Sequence, residues 1–226
     1  PDYDEAYANL GIVLKQLGRT DEAVVSYNKA LAIKFDDPET LNNLGNAFNS
    51  LGHLDEAITS YKNAISFKPD YVDAHFNLSS TLQKLGQFDE AVASYKKTIL
   101  LKPNYVEAYI NLGLVLKDLG QIDEALASCN KAIMIKPGFA EVYSNLGNIL
   151  KELGQFDEAV SNYDKALTIN PDLAEVHSNM GITLASLGQL DEALASLNRA
   201  LVIKPDFGEA RFSLGKLLYE CCEFKK

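Results

Sequence analysis

Three histidines, three cysteines and a series of paired carboxylates are the residues of this 226-residue sequence that could ligate a metal, attack a carbonyl or move a proton. Cys129, Cys221 and Cys222 are too few for a disulfide framework, and no histidine falls near them at zinc-ligand spacing. Cys129 reads as a buried, inert thiol, and the neighbouring Cys221 and Cys222 read as a local departure near the chain end. The acidic pairs Asp21-Glu22, Asp55-Glu56, Asp89-Glu90, Asp123-Glu124, Asp157-Glu158 and Asp191-Glu192 have the composition of an acid–base dyad, yet they recur every 34 residues. A catalytic dyad is needed once, so copies at one constant step belong to the architecture. His75 and His177 lie three such steps apart and His53 has no partner, so none of them is expected to be catalytic. The glycines end or pack helices instead of cradling a phosphate after a strand. No catalytic residue, cofactor or metal is therefore expected, and the chain does not read as an enzyme.

The elements that position these residues follow from the same period. Gly18, Gly52, Gly86, Gly120, Gly154 and Gly188 keep the 34-residue step, and counting slot 1 from Asp4 gives repeats 4–37, 38–71, 72–105, 106–139, 140–173 and 174–207. Residues 208–226 form a partial seventh repeat or a terminal helix. Within a repeat, slots 4, 7, 8, 11 and 14 are apolar or small, as in Tyr109, Leu112, Gly113, Leu116 and Leu119, which is the spacing of a buried helix face, helix A. Glycine at slot 15 stops that helix and Asp at slot 18 stands where an N-cap belongs. A second apolar pattern, as in Ala91, Val92, Tyr95, Thr98, Ile99 and Leu101, runs to Pro103 and predicts helix B. In the first repeat the closing slot is Phe35, and Pro38 takes over the break from the first turn of the next helix.

Leu-Gly at slots 7 and 8, Ala at slot 20, Tyr at slot 24, Ala at slot 27 and Pro at slot 32 resemble the tetratricopeptide repeat along essentially the whole chain. The resemblance implies an all-α solenoid, in which antiparallel helix pairs stack into a right-handed superhelix with helices A lining a concave groove. Small residues at slots 8, 20 and 27 allow the close approach of helices that such stacking requires. Stability should then be a sum over repeats and their interfaces.

Slots 2, 5, 6, 9, 12 and 13 form a second stripe on helix A, and the resemblance assigns it to the groove. Slot 6 is Asn9, Asn43, Asn77, Asn111, Asn145 and Asn179, then Ser213 in the partial repeat. A row of carboxamides offers a donor and an acceptor per repeat to the backbone of an extended peptide. In this respect the chain is similar to the repeat domain of O-GlcNAc transferase. The other role open to the asparagines is tying neighbouring helices together. Around them stand Asn46 and Asn148 at slot 9 and Lys117 and Lys151 at slot 12, while Phe76, Ile110 and Leu114 are expected to form a shallow apolar pocket at mid-chain, or else to stand as isolated exposed residues. Slot 2 is acidic throughout, from Glu5 to Glu209, and no slot 6 is Arg. The family's clamp for a C-terminal carboxylate needs a basic slot 2, so a neutral or basic partner is expected.

Composition agrees with a folded scaffold, since 47% of residues are apolar and 23% charged. A formal charge of −10 disfavours nucleic acid, and no run of apolar residues is long enough to span a membrane. A cytoplasmic setting is expected. Pro1 fills slot 32 of a missing earlier repeat, and Lys225 and Lys226 stand where Asp-Glu stands elsewhere, so an excerpt from a longer protein is expected over a dedicated cap, which would not carry Leu217, Leu218 and Phe224. Three functions follow: an interaction scaffold holding an extended protein segment in its groove, the substrate-recruiting arm of a larger enzyme such as a glycosyltransferase or other group transferase, or a module that self-associates through uncapped ends.

Overall fold

The computed structural model describes residues 3–223, with side chains as far as Tyr219. The expectations attached to Pro1, Phe224, Lys225, Lys226 and the thiols of Cys221 and Cys222 lie outside the described residues. Those residues contain α-helices and turns and no strand. Two compact units, Pro1–Val115 and Leu116–Lys226, divide the chain within one helix. The first holds α1 (Tyr3–Gln16), α2 (Thr20–Ile33), α3 (Pro38–Leu51), α4 (Leu54–Phe67), α5 (Val72–Lys84), α6 (Phe88–Leu101) and most of α7 (Val106–Asp118). The second holds α8 (Ile122–Ile135), α9 (Ala140–Glu152), α10 (Phe156–Ile169), α11 (Ala174–Ser186), α12 (Leu190–Ile203) and α13 (Gly208–Glu223). Odd-numbered helices are the expected helices A and even-numbered ones the helices B.

The turn from A to B is a backbone device. Gly154 adopts φ 74° after α9, its N–H bonds to the Lys151 carbonyl, and the Gln155 N–H reaches back to the Leu150 carbonyl. This is the left-handed stop that a glycine allows without a Cβ clash. Because the chain re-enters a helix at once, the cap of α10 is Gln155 at slot 16, and the same holds for His53, Gln87, Gln121 and Gln189. The expectation of an N-cap Asp at slot 18 is thereby corrected. Asp157 lies inside the first turn, where its charge favours the helix dipole without a side-chain cap bond. Pro38 does open α3, behind Asp37, whose carboxylate accepts the Glu39 N–H.

Helix A buries more than one stripe. Slots 3 and 10, absent from the expected face, are buried as Thr40, Ala74, Ala108, Val142 and Val176, and as Ala47, Thr81, Val115, Ile149 and Thr183. The expected slot 14 is exposed at Leu17, Leu85 and Leu153. The reason is visible in α1, which has no described helix before it: there Ala6 and Val13, in slots 3 and 10, are exposed. These slots therefore pack against the preceding repeat. Between repeats, slot 4 supplies a polar tip to the Pro carbonyl six residues earlier: Nε2–H of His75 donates to Pro69 at 3.0 Å, His177 to Pro171 at 3.0 Å and the Tyr109 hydroxyl to Pro103 at 3.3 Å. The histidines thus do the structural work of the tyrosine.

Inside a repeat the A–B contact is built on Tyr at slot 24 and Gly at slot 8. The Tyr27, Tyr61, Tyr95 and Tyr163 rings are buried, and burial raises each phenol, to about 12 for Tyr61 and Tyr95. A Cβ on Gly147 would stand 2.6 Å from Tyr163 Cε1. Gly147→Ala is expected to destabilise by about 1 kcal/mol, the low end for overpacking, because the third repeat already tolerates Ser79 opposite Tyr95. A chemical-denaturation midpoint equal to wild type would contradict it. Cys129 replaces the tyrosine in the fourth repeat; it is fully buried, and burial pushes its thiol up to about 11, away from the reactive thiolate.

The apolar core is local. Ala159, Tyr163, Ala166 and Val176 form one cluster, and Leu184, Ala193, Leu197, Ala200, Ala210 and Leu217 form the next. Each joins neighbouring repeats only, as expected of a one-dimensional stack.

Candidate functional site

The helices A of adjacent repeats approach one another directly: α1 with α3 and α3 with α5 in the first unit, α9 with α11 and α11 with α13 in the second. Within each unit, among the described residues, the backbones of successive helices B make no such approach and are bridged by long side chains, as in the Lys62–Glu90 ion pair at 3.6 Å. In a stack of hairpins the row whose members touch lies on the inside of the curve. Helices A therefore line the inner face of each unit.

Slot 2 is exposed in every repeat, and slot 6 is partly exposed from Asn43 to Asn179, with Asn9 exposed. The amide row thus lies on the inner face, where it has two kinds of neighbour. Asn77 donates to Asn42 Oδ1 at 3.0 Å, and Asn179 Oδ1 accepts from Lys151 Nζ at 3.2 Å, so some amides link repeats. Asn43 and Asn145 have no side-chain hydrogen bond among the described residues, and the Asn179 amide retains its Nδ2 donors.

Other expected site residues are redistributed. Asn46 and Asn148 sit on the inner face, but each carboxamide oxygen accepts a phenol, from Tyr61 and Tyr163 respectively, at 2.8 Å. They anchor the tyrosines that run through the repeat. Lys117 is bound to Glu152 at 3.3 Å, with Asp118 at 3.4 Å. Burial alone would lower its pKa, but the bond and charge of Glu152 and Asp118 prevail and raise it. It is a strut between repeats more than a free cation.

The mid-chain apolar pocket is not formed. Ile110 is 2% exposed, and the Phe76 ring lies against Tyr105 at 4.8 Å and Tyr95 at 6.0 Å, which leaves Leu114 partly exposed without them. Slot 5 is the reason: Asn42, Ile110 and Ser178 are buried in that slot, and Asn42 faces slot 6 of the next repeat, where Asn77 bonds to it. A helical-wheel reading places slot 5 on the open stripe, since it cannot see the neighbouring helix.

Instead, a cavity of about 780 Å³ opens in the second unit, lined by Asn145, Asn148 and Asn179 together with Glu141, Glu175, Phe139, Leu173 and Lys136. It lies within the size range of ligand pockets and combines an apolar side with convergent amides. Among the described residues no group of three or more His, Cys, Asp or Glu is placed to hold a metal, and no helix is long and apolar enough to cross a membrane.

The chain matches the family model described as "TPR repeat" at residues 13–52, 45–86, 80–120, 113–154, 147–188 and 183–220. No curated protein matches it. Among solved structures, it is 31% identical to MamA over 71% of this chain and 94% of that one, with a TM-score of 0.68. YrrB, described as a TPR protein with an unusual peptide-binding site, is 24% identical over 83% of this chain and 96% of its own, at a TM-score of 0.65. A tetratricopeptide repeat protein from Parabacteroides merdae is 18% identical over 99% and 88% of the two chains, at a TM-score of 0.84. The chain belongs to the tetratricopeptide repeat family, whose repeats build protein-interaction scaffolds.

Proposed function

We propose that this scaffold holds an extended segment of a partner protein along its inner helices, by hydrogen bonds from the slot-6 amides to the partner's backbone. The observation that carries the reading is the partly exposed amide row on the inner face, with Asn145 and Asn179 lining the 780 Å³ cavity. A carboxamide matches the peptide group donor for acceptor, so such a row binds a backbone with little regard to side chains. The exposed acids at slot 2, Glu141 and Glu175 among them, border the row and favour a neutral or basic segment.

The test is chemical. A peptide selected from a random twelve-residue library is resynthesised with single backbone N-methyl groups, each of which removes one donor. Loss of about 0.5–1.5 kcal/mol at the methylated positions facing the row, a two- to tenfold weaker Kd, is expected by calorimetry. Binding unaffected by methylation at every position would reject backbone recognition.

A further inference from the structure

Four of the six loops from helix B to the next helix A share a device; the loop after α2, which has Asp37 in place of the ring, and the loop after α10 lack it. Lys68 lies 4.8 Å above the Tyr71 ring, Lys102 4.6 Å above Tyr105, Lys136 4.3 Å above Phe139 and Lys204 5.1 Å above Phe207. Each loop is thus filled by its own aromatic ring under its own ammonium, a favourable cation–π arrangement. The loop after α10 carries Asn170 and Leu173 in those two slots. Asn170 folds back, its Oδ1 accepting the Asp172 N–H at 3.2 Å, and Leu173 is smaller than a ring. The 780 Å³ cavity opens at this loop, between Lys136 and Phe139 on one side and Lys204 on the other.

We infer that this gap is an anchor site for one aromatic side chain of the partner segment, with a basic residue beside it. The inference rests on the groove reading and names what the groove selects. The cavity borders the slot in which sister loops carry Tyr or Phe and this loop carries the smaller Leu173, so an aromatic supplied by the partner would take up the space a ring leaves there. Phe139, Leu173 and Ile169 give it apolar walls, and Asn145 and Asn179 stand ready for a phenol or indole N–H. Charge selects the neighbour. Asp172 is paired with Arg199 at 3.2 Å, whereas Glu141 and Glu175 are exposed and have no ion-pair partner among the described residues. Lys136 and Lys204 face the rings of their own loops. The two carboxylates without an ion-pair partner on this wall, Glu141 and Glu175, complement Lys or Arg.

The test pans a phage-displayed random twelve-residue library on the whole chain and on the variant Asn170→Lys with Leu173→Phe, which restores the residues of the sister loops. Peptides selected on the wild type are expected to be enriched in Phe, Tyr or Trp next to Lys or Arg. Alanine in place of the aromatic should weaken binding tenfold or more. The filled variant should melt no lower than wild type and lose the aromatic preference. Selected peptides without aromatic enrichment, or bound equally by the filled variant, overturn the anchor and leave the groove reading standing. A library that yields no binder to the wild type removes both. Should the variant fail to fold, the alanine-substituted peptide on the wild type alone decides.

Discussion

Tyr163→Ala is expected to destabilise the protein by about 3–5 kcal/mol, the range for removing a large buried aromatic. Its ring is fully buried between α9 and α10, in a cluster with Ala159, Ala166 and Val176. Gly147 packs directly against the ring and has no side chain of its own, which leaves the cavity of an alanine variant little material with which to collapse. The hydroxyl adds a smaller, separable share. It donates to Asn148 Oδ1 at 2.8 Å, so Tyr163→Phe should cost about 1 kcal/mol and strand the amide oxygen beside partly solvated surface. Repeats contribute to stability through themselves and their neighbours, so hydrogen exchange should locate the loss in α9, α10 and α11 before α13 is affected. An alanine variant within about 1 kcal/mol of wild type would refute the view that the Tyr–Gly contact holds the hairpin together.

Replacing both Asn145 and Asn179 with Ala should weaken binding of an extended peptide by about 1–3 kcal/mol, roughly five- to 150-fold in Kd, if each amide contributes an ordinary hydrogen bond. Neither side chain is in the core. Asn145 has no side-chain partner among the described residues, and Asn179 accepts one bond, from Lys151. The fold should therefore survive the pair with a stability change of less than about 1 kcal/mol, measured by denaturation alongside the titration. Asn148→Ala serves as the contrast: its oxygen is already committed to Tyr163, so its loss should appear in stability more than in affinity. A double variant that binds as well as wild type would move the site off the amide row. One that unfolds would make the amides struts between repeats.

Local chemistry made most of the helices readable. The 34-residue step, the glycine stop and the proline break depend on backbone conformations that few residues adopt, so they can be recognised without knowing what surrounds them. The N-cap was misplaced by two residues because a Schellman turn leads straight into α10 and its equivalents, and a side-chain cap is then unnecessary. Ile110 shows the other kind of failure. Its place on the helix wheel is that of a groove residue, and it is 2% exposed.

Residue order by itself determined the repeat, the helix pairs and the row of asparagines, because each follows from periodicity and from conformational limits inside a single repeat. Which of those asparagines are committed to neighbours, why slots 3, 5 and 10 are buried, and where a cavity opens were settled by the stacking of one repeat on the next. Burial and hydrogen bonding at those slots come from residues 28 to 35 positions away, as in Asn42–Asn77 and Lys151–Asn179. The gap beside Asn170 and Leu173 has the same origin: two substitutions that look unremarkable in one loop become a cavity only between two neighbouring loops that keep their lysines and rings.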